Sequence, residues 1–311
     1  MKTKNRILTI VLMSVWMLTI TSCRNSTPTM QTAVDKDREG NFITLPKKID
    51  RVISMGPSNT EILISLGFAD KIVAADAYSR KIEGLASDIP FFNMMAPDGE
   101  QILHLEPDVL FVTGMSKVGG LDLFKVVSDT GICVLYIPSS SSIADIKADI
   151  RFIAGVMGAV EQGDKMIADM EETIEAVTKI AETITDKKTV YFEVSAESLL
   201  YSFGRGVFLN EMLEIIGAEN ILADRKQWVS VTGEVILNRN PDVILTNTGY
   251  LDKPVDEIMA RPGWNALTAV QNGDVYYIDT ATSSRPNHNI VKTLLEMAKA
   301  VYPDKYEILK R

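Results

Sequence analysis

The chain has 311 residues, with 32 Lys and Arg against 41 Asp and Glu, a formal net charge of −9 and 46% hydrophobic residues. Its length exceeds what one hydrophobic core ordinarily serves and suits two domains, and its acidic balance argues against a nucleic-acid partner. Cys23 and Cys133 are the only cysteines, so a mature chain in which the first is processed or modified closes no internal disulfide.

Lys2, Lys4 and Arg6 precede an apolar run from Ile7 to Ile20 and then Thr21-Ser22-Cys23, the charged, apolar and small-residue zones of an export signal. The run is shorter than the ~20 residues a membrane-crossing helix needs, which favours a removable leader, 1–22, over a permanent transmembrane anchor. Ile20-Thr21-Ser22-Cys23 resembles a lipobox, and the resemblance implies that Cys23 is diacylated and heads the mature protein. Two acyl chains hold a soluble domain at a membrane where one does not. The competing view is an incidental cysteine in a discarded leader. Removing 22 of 311 residues leaves 289, and losing three positive charges lowers the formal charge from −9 to −12. From Arg24 to Gln31 the chain is polar and rich in Ser, Thr and Pro, a short tether taken as 23–33.

Beyond it, β-branched runs alternate with helical patterns. The runs are Arg51-Ser54, Ile72-Ala75, Val109-Thr113 and Ile132-Ile137, then Thr189-Val194, Val243-Thr246 and Val275-Ile278. Such alternation predicts βα units with mostly parallel sheets, an α/β fold. Cys133 falls within an apolar strand and reads as a small core hydrophobe. Between the halves, Met166, Ile167, Met170, Ile174, Val177, Ile180 and Ile184 recur three or four apart, one apolar stripe on a long helix of about 24 residues and ~36 Å. The expected organisation is a first lobe over 34–160, a bridging helix over 161–185 and a second lobe over 186–311.

The chain repeats itself. Gly99 to Val109 matches Gly233 to Val243 at seven of eleven positions, and Glu61, Leu63 and Gly67 of NTEILISLG echo Glu211, Leu213 and Gly217 of LNEMLEIIG. Two echoes in the same order imply two lobes of similar plan. In each long repeat a short helix opens at Gly-Glu, is stopped by Pro107 or Pro241, and turns into a strand. A helix preceding a parallel strand starts at the sheet's carboxyl edge, where open α/β sheets bind ligands. Glu100 and Glu234 are therefore expected at equivalent tips, beside the cleft.

The segments RVISMGPSNTEILISLG, GEQILHLEPDVLFVTG, VTGEVILNRNPDVIL, RPGWNALTAVQNGDVYYID and SRPNHNIVKTLLEMAKAVYPD together resemble the class III solute-binding proteins of ABC importers for cobalamin, haem and ferric siderophores. The resemblance runs from about Val34 to Tyr306. It implies two Rossmann-like lobes bridged by one long helix, little hinge motion, and a ligand held between the lobes. It also implies a permease dimer with its own ATPase as partner, with Glu100 and Glu234 docking onto permease arginines.

Loops at the carboxyl ends of strands nominate Tyr78, Arg80, Met94, Met95, Lys117, Arg205, Trp228, Tyr250, Arg285 and His288 as ligand contacts. Trp228 stands six residues before Glu234, the spacing at which cobalamin-binding relatives place a corrin-contacting tryptophan. Six residues before Glu100, Met94 stands where those relatives have another. Corrinoids rank first as ligand, then haem, then a ferric siderophore, which would want the cations Arg80, Lys117, Arg205 and Arg285 to converge. His104 and His288 are the only histidines, and His104 is expected mid-helix near the core. Bare metal capture wants several convergent imidazoles or carboxylates, so neither a naked-metal site nor a resident cofactor is expected. No GxSxG, P-loop or HExxH occurs, Gly204-Arg205-Gly206 is only a partial dinucleotide motif, and Ser58 to Glu61 has the spacing of a capping box. The chain is expected to be a non-enzymatic, lipid-anchored binding protein outside the cytoplasm, with a surface-anchored α/β enzyme or a ligand sensor as alternatives.

Overall fold

The computed structural model describes residues 34–309 apart from 119, 120 and 198. The expected leader, Cys23 and tether lie outside the described residues. In the first half β1 (Val52–Met55), α1 (Pro57–Ser65), β2 (Ile72–Asp76), β3 (Phe91–Phe92), α2 (Gly99–His104) and β4 (Val109–Thr113) follow one another. A small antiparallel pair, β5 (Lys117–Val118) and β6 (Leu121–Asp122), and then α3 (Lys125–Ser128) lead to β7 (Cys133–Ile137). The order β3-β2-β1-β4-β7 makes one parallel sheet. Strands β1 and β4 are buried almost throughout, as continuous apolar runs covered on both faces must be.

Two helices follow, α4 (Ile143–Met157) and α5 (Val160–Ala181). The second half holds β8 (Thr189–Glu193), β9 (Leu200–Phe203), α6 (Phe208–Ile215), β10 (Glu219–Asn220), β11 (Trp228–Val231), α7 (Gly233–Arg239), β12 (Val243–Thr246), α8 (Pro254–Ala260), α9 (Thr268–Asn272) and β13 (Val275–Tyr277). Three helices close the chain, α10 (Thr280–Ser283), α11 (Ile290–Val301) and α12 (Pro303–Tyr306). A second parallel sheet runs β10-β8-β12-β13, and β9 pairs antiparallel with β11 beside it.

The sequence repeat has a local physical cause. Glu106 and Asn240, the residues before Pro107 and Pro241, both adopt left-handed backbone, with φ of 45° and 42°. Each turn then aims an aspartate at the start of the neighbouring strand. Asp108 Oδ2 accepts from the backbone N of Asp50 and Arg51 at 2.7 and 2.8 Å, and Asp242 Oδ2 accepts from the backbone N and hydroxyl of Thr189, both at 2.7 Å. The Pro-Asp-Val units thus set the pairing of β4 with β1 and of β12 with β8.

Helix α5 is the expected long helix, 22 residues against the 24 read from periodicity, or about 33 Å. Its stripe runs through Ile167, Met170 and Val177, all buried. Near its start Gly163 lies so close to α4 that an added Cβ would fall 2.5 Å from Ala154 Cβ. Near its end the Tyr306 hydroxyl donates to the carbonyls of Ile216 (3.0 Å) and Val177 (3.4 Å). One apolar core extends from Val52, Phe111 and Ile150 through Ile167 and Val177 to Phe208, Leu245 and Tyr306. Separate clusters cover the other face of each sheet.

Two local expectations change, and a third residue gains a structural reason. Helix α1 begins with Pro57 after Gly56, with no side-chain cap, so Ser58 and Glu61 form no capping box. His104 ends α2 and is exposed rather than lying mid-helix by the core. Gly204 directly follows β9, and a Cβ there would meet the Arg225 carbonyl at 2.3 Å. Close backbone approach therefore accounts for that glycine.

Candidate functional site

A cavity of about 420 Å³ opens where the carboxyl ends of both sheets face each other, within the size range of small-molecule sites. The first sheet contributes Ser58 and Asn59 after β1, Met94 after β3, Thr113 and Met115 around the end of β4, and Ser139 and Ser140 after β7. The second half contributes Tyr201, Trp228, Asn247 and the segment Ser283 to Pro286. Tyr201 and Trp228, from paired strands, stack with ring centroids 6.2 Å apart and 9° between planes, and Phe203 meets Trp228 edge-on at 6.0 Å. The result is an aromatic platform in a cavity that Met94 and Met115 also line.

Two charged side chains line the cavity, and each is matched by a partner. Asp149 accepts from Arg38 Nε at 2.5 Å and from the Ser140 hydroxyl at 2.8 Å. Burial holds its carboxyl above the ordinary value despite the opposing pull of Arg38 and Ser140. Arg285 Nη1 donates to Glu61 Oε1 at 2.6 Å, while Asn287 and Asn289 donate to Glu61 Oε2 at 2.6 and 3.1 Å.

The uncharged polar groups differ. Among the described residues, the buried Asn59 Nδ2, Thr113 Oγ1 and Asn247 Oδ1 lack any protein hydrogen-bond partner, and all three residues line the cavity. Buried polar atoms are rarely left unpaired. Unpaired polar atoms thus lie on residues that line the cavity from both halves of the chain.

Of the ten nominated ligand contacts, the cavity brings together Met94, Trp228 and Arg285. Tyr78, Arg80, Met95, Lys117, Arg205, Tyr250 and His288 are not among its lining residues. The four cations do not converge. Arg80 lies over the Phe91 ring at 4.2 Å, Lys117 pairs with Glu39 and sits 4.2 Å over Tyr136, and Arg205 is exposed beside Lys226. The Tyr250 hydroxyl accepts from Ala196 N at 2.8 Å, and His288 Nε2 lies 3.0 Å from Ser65 Oγ. Burial lowers the His288 pKa, with Lys292 adding to the fall and Glu61 opposing it. Tyr78 and Met95 are exposed. Glu100 and Glu234 are both exposed in the first turns of α2 and α7. Cys133 is half-buried, its thiol pushed up to about 11 chiefly by desolvation.

Sequence reasoning missed Asn59, Asn247, Tyr201 and Met115. Asn59 was absorbed into the capping box. Asn247 directly follows β12, so the strand-end rule that nominated Tyr250 reaches it equally. Tyr201 lies on β9, a strand absent from the periodicity reading.

Residues 52–282 match the family model described as periplasmic binding protein, and the chain belongs to that family. A protein of Bacillus subtilis (strain 168), described as an uncharacterized ABC transporter substrate-binding lipoprotein, YvrC, is 30% identical over 276 residues, covering 87% of this chain and 86% of that protein. A vitamin B12-binding protein of Vibrio parahaemolyticus is 23% identical over 252 residues, 81% of this chain and 89% of that one. Among solved structures, a possible iron-binding periplasmic solute-binding protein from Staphylococcus epidermidis superposes with a TM-score of 0.74 at 27% identity, over 82% of this chain and 100% of that one.

Proposed function

We propose that the chain captures an uncharged, amide-bearing metal chelate, a corrinoid, between its lobes and hands it to the permease of an ABC importer powered by a separate ATPase. The carrying observation is the polarity of the cavity: both charged lining residues are matched by partners, while Asn59 and Asn247, which line it together with Trp228 and Tyr201, each keep a buried amide atom unpaired. A corrin ring offers an apolar face and a rim of carboxamides, each with one acceptor and two donors. Haem offers a similar face but two carboxylates, whose burial without a free cation is costly. The B12-binding relative supports this choice. Haem or a ferric siderophore is the second reading, favoured by the iron-binding name of the Staphylococcus neighbour.

The metal arrives as part of the cargo, so no resident cofactor is needed and no bond is made or broken. Glu100 and Glu234, exposed at equivalent helix starts, are assigned to docking on permease arginines. Cys23 is assigned to lipid anchoring at a membrane outside the cytoplasm, facing a periplasm or on the outer face of the cell membrane, supported by the lipoprotein description of the Bacillus relative. Labelled fatty acid is expected to enter the wild type and not Cys23→Ala.

Fluorescence titration of residues 24–311 with cyanocobalamin tests the ligand. Quenching of Trp228 with a dissociation constant in the nanomolar range, about −12 kcal/mol, is expected. No binding by any corrinoid, alongside tight binding of haem or a ferric siderophore, overturns the assignment.

A further inference from the structure

Glu61 and Glu211 occupy equivalent places in the shorter repeat, and both reach across to the other half of the chain. Glu211 Oε2 accepts from the backbone N of Ile143, the first residue of α4, at 2.8 Å. Glu61 accepts from Arg285, Asn287 and Asn289, on the segment leading into α11. A glutamate at this position therefore tethers the opposite lobe without needing an arginine. Two amides already serve Glu61 in that way. Arg285 adds something else, because it lines the ligand cavity. Its side chain is 21% exposed and that of Glu61 is 14% exposed, so the pair is shielded enough for the carboxylate to cancel the guanidinium field with little help from solvent.

We propose that Glu61 is a specificity-determining residue: by neutralising Arg285 it keeps the cleft selective for uncharged over anionic chelates, and loss of its charge turns the same cleft into an anion-accepting site. The proposal rests on the reading of the cavity as a chelate site, not on the corrin in particular. Glu61 acts through Arg285 rather than by touching ligand, which makes it a positioning residue whose signature is charge discrimination. Glu61→Gln is the informative variant, since the glutamine carbonyl still accepts from the two asparagine amides while the charge is gone.

Two measurements test it. The first compares cyanocobalamin with its monocarboxylates, in which one propionamide is an acid, and haem with its dimethyl ester. In Glu61→Gln the affinity ratio of uncharged to anionic partner is expected to fall at least tenfold for whichever ring binds, and Glu61→Gln with Arg285→Gln is expected to restore it. The second needs no ligand. Among the described residues Trp228 is exposed whereas Trp264 is 2% exposed, so collisional quenching reports the cleft. Iodide quenching is expected to rise about twofold in Glu61→Gln and to fall in Arg285→Gln, with quenching by neutral acrylamide unchanged. Unaltered iodide quenching in both variants, or an affinity ratio in folded Glu61→Gln within twofold of wild type, overturns the proposal. Absence of corrinoid binding with the iodide response intact overturns only the ligand assignment. If Glu61→Gln does not fold, Arg285→Gln alone decides by its iodide response.

Discussion

The two lobes share a plan but present different surfaces to the cleft. The first offers thioethers, hydroxyls and Asn59, and the second offers stacked aromatics, Asn247 and Arg285. Their equivalent glutamates show the same divergence, since Glu211 holds a helix start while Glu61 also holds a cavity-lining cation. Duplicated elements are thus kept alike where they set strand pairing, as at Asp108 and Asp242, and differ where they face ligand. Unlike jaws would meet the proposed chelate from chemically distinct sides, while one apolar core runs beneath both.

The likeness between lobes is broken most severely at the rims. Reversing both exposed glutamates, Glu100→Arg with Glu234→Arg, places like charges against the permease, which costs several kcal/mol at an interface (roughly 3 or more) and slows association. Uptake in whole cells is expected to vanish while affinity for free ligand stays within about threefold, or ~0.7 kcal/mol. Uptake at the wild-type rate removes the docking role.

Inside the cleft the unlike jaws predict unequal losses. Trp228→Ala removes half of the aromatic platform and is expected to weaken binding by about 2 kcal/mol, the scale of an interface hot spot. Met115→Ala, which deletes a flexible exposed thioether, is expected to cost under ~1 kcal/mol. Calorimetric titration of the two variants separates these values, and equal losses contradict the asymmetry. Met94 is less useful because it is 4% exposed within a core cluster, so its truncation also destabilises the fold.

At the glutamate pair, Glu211→Gln weakens a charge-assisted contact to a helix start. It is expected to lower stability by about 1 kcal/mol in urea denaturation, leaving discrimination between charged and uncharged chelates unchanged. A change in discrimination equal to that of Glu61→Gln erases the distinction drawn between them.

Much of this was legible in the chain. The seven β-branched runs became strands of two parallel sheets, and the five that are central, β1, β2, β4, β8 and β12, are largely buried, as strands covered on both faces must be. The α5 stripe was visible because its period is carried by Ile167, Met170 and Val177, which are buried. The site was harder to see. Arg80 and Lys117 follow strand ends as cleft residues do, yet a nearby ring or carboxylate captures each, a choice made by tertiary neighbours. Glu61 fits a local capping pattern but reaches a partner 224 positions away. Tyr201 was hidden because β9, Leu200–Phe203, carries no β-branched residue.

The smallest effect concerns the segment that holds Arg285. His288 has a lowered pKa, mainly through burial, so the folded state prefers the neutral ring. Its contribution to stability is present above the unfolded value of about 6.5 and is lost as pH falls through the lower folded value. Melting temperatures taken downward from pH 7 are expected to fall more steeply for the wild type than for His288→Gln. Parallel curves contradict a half-buried histidine held neutral in the fold.

The most direct test of a cleft whose lining charges are matched by partners is calorimetric competition between cyanocobalamin and haem on the wild-type protein. Selection by unpaired amides rather than by a free cation predicts that cyanocobalamin binds at least a hundredfold more tightly, a difference of about 2.7 kcal/mol. Tighter binding of haem contradicts it.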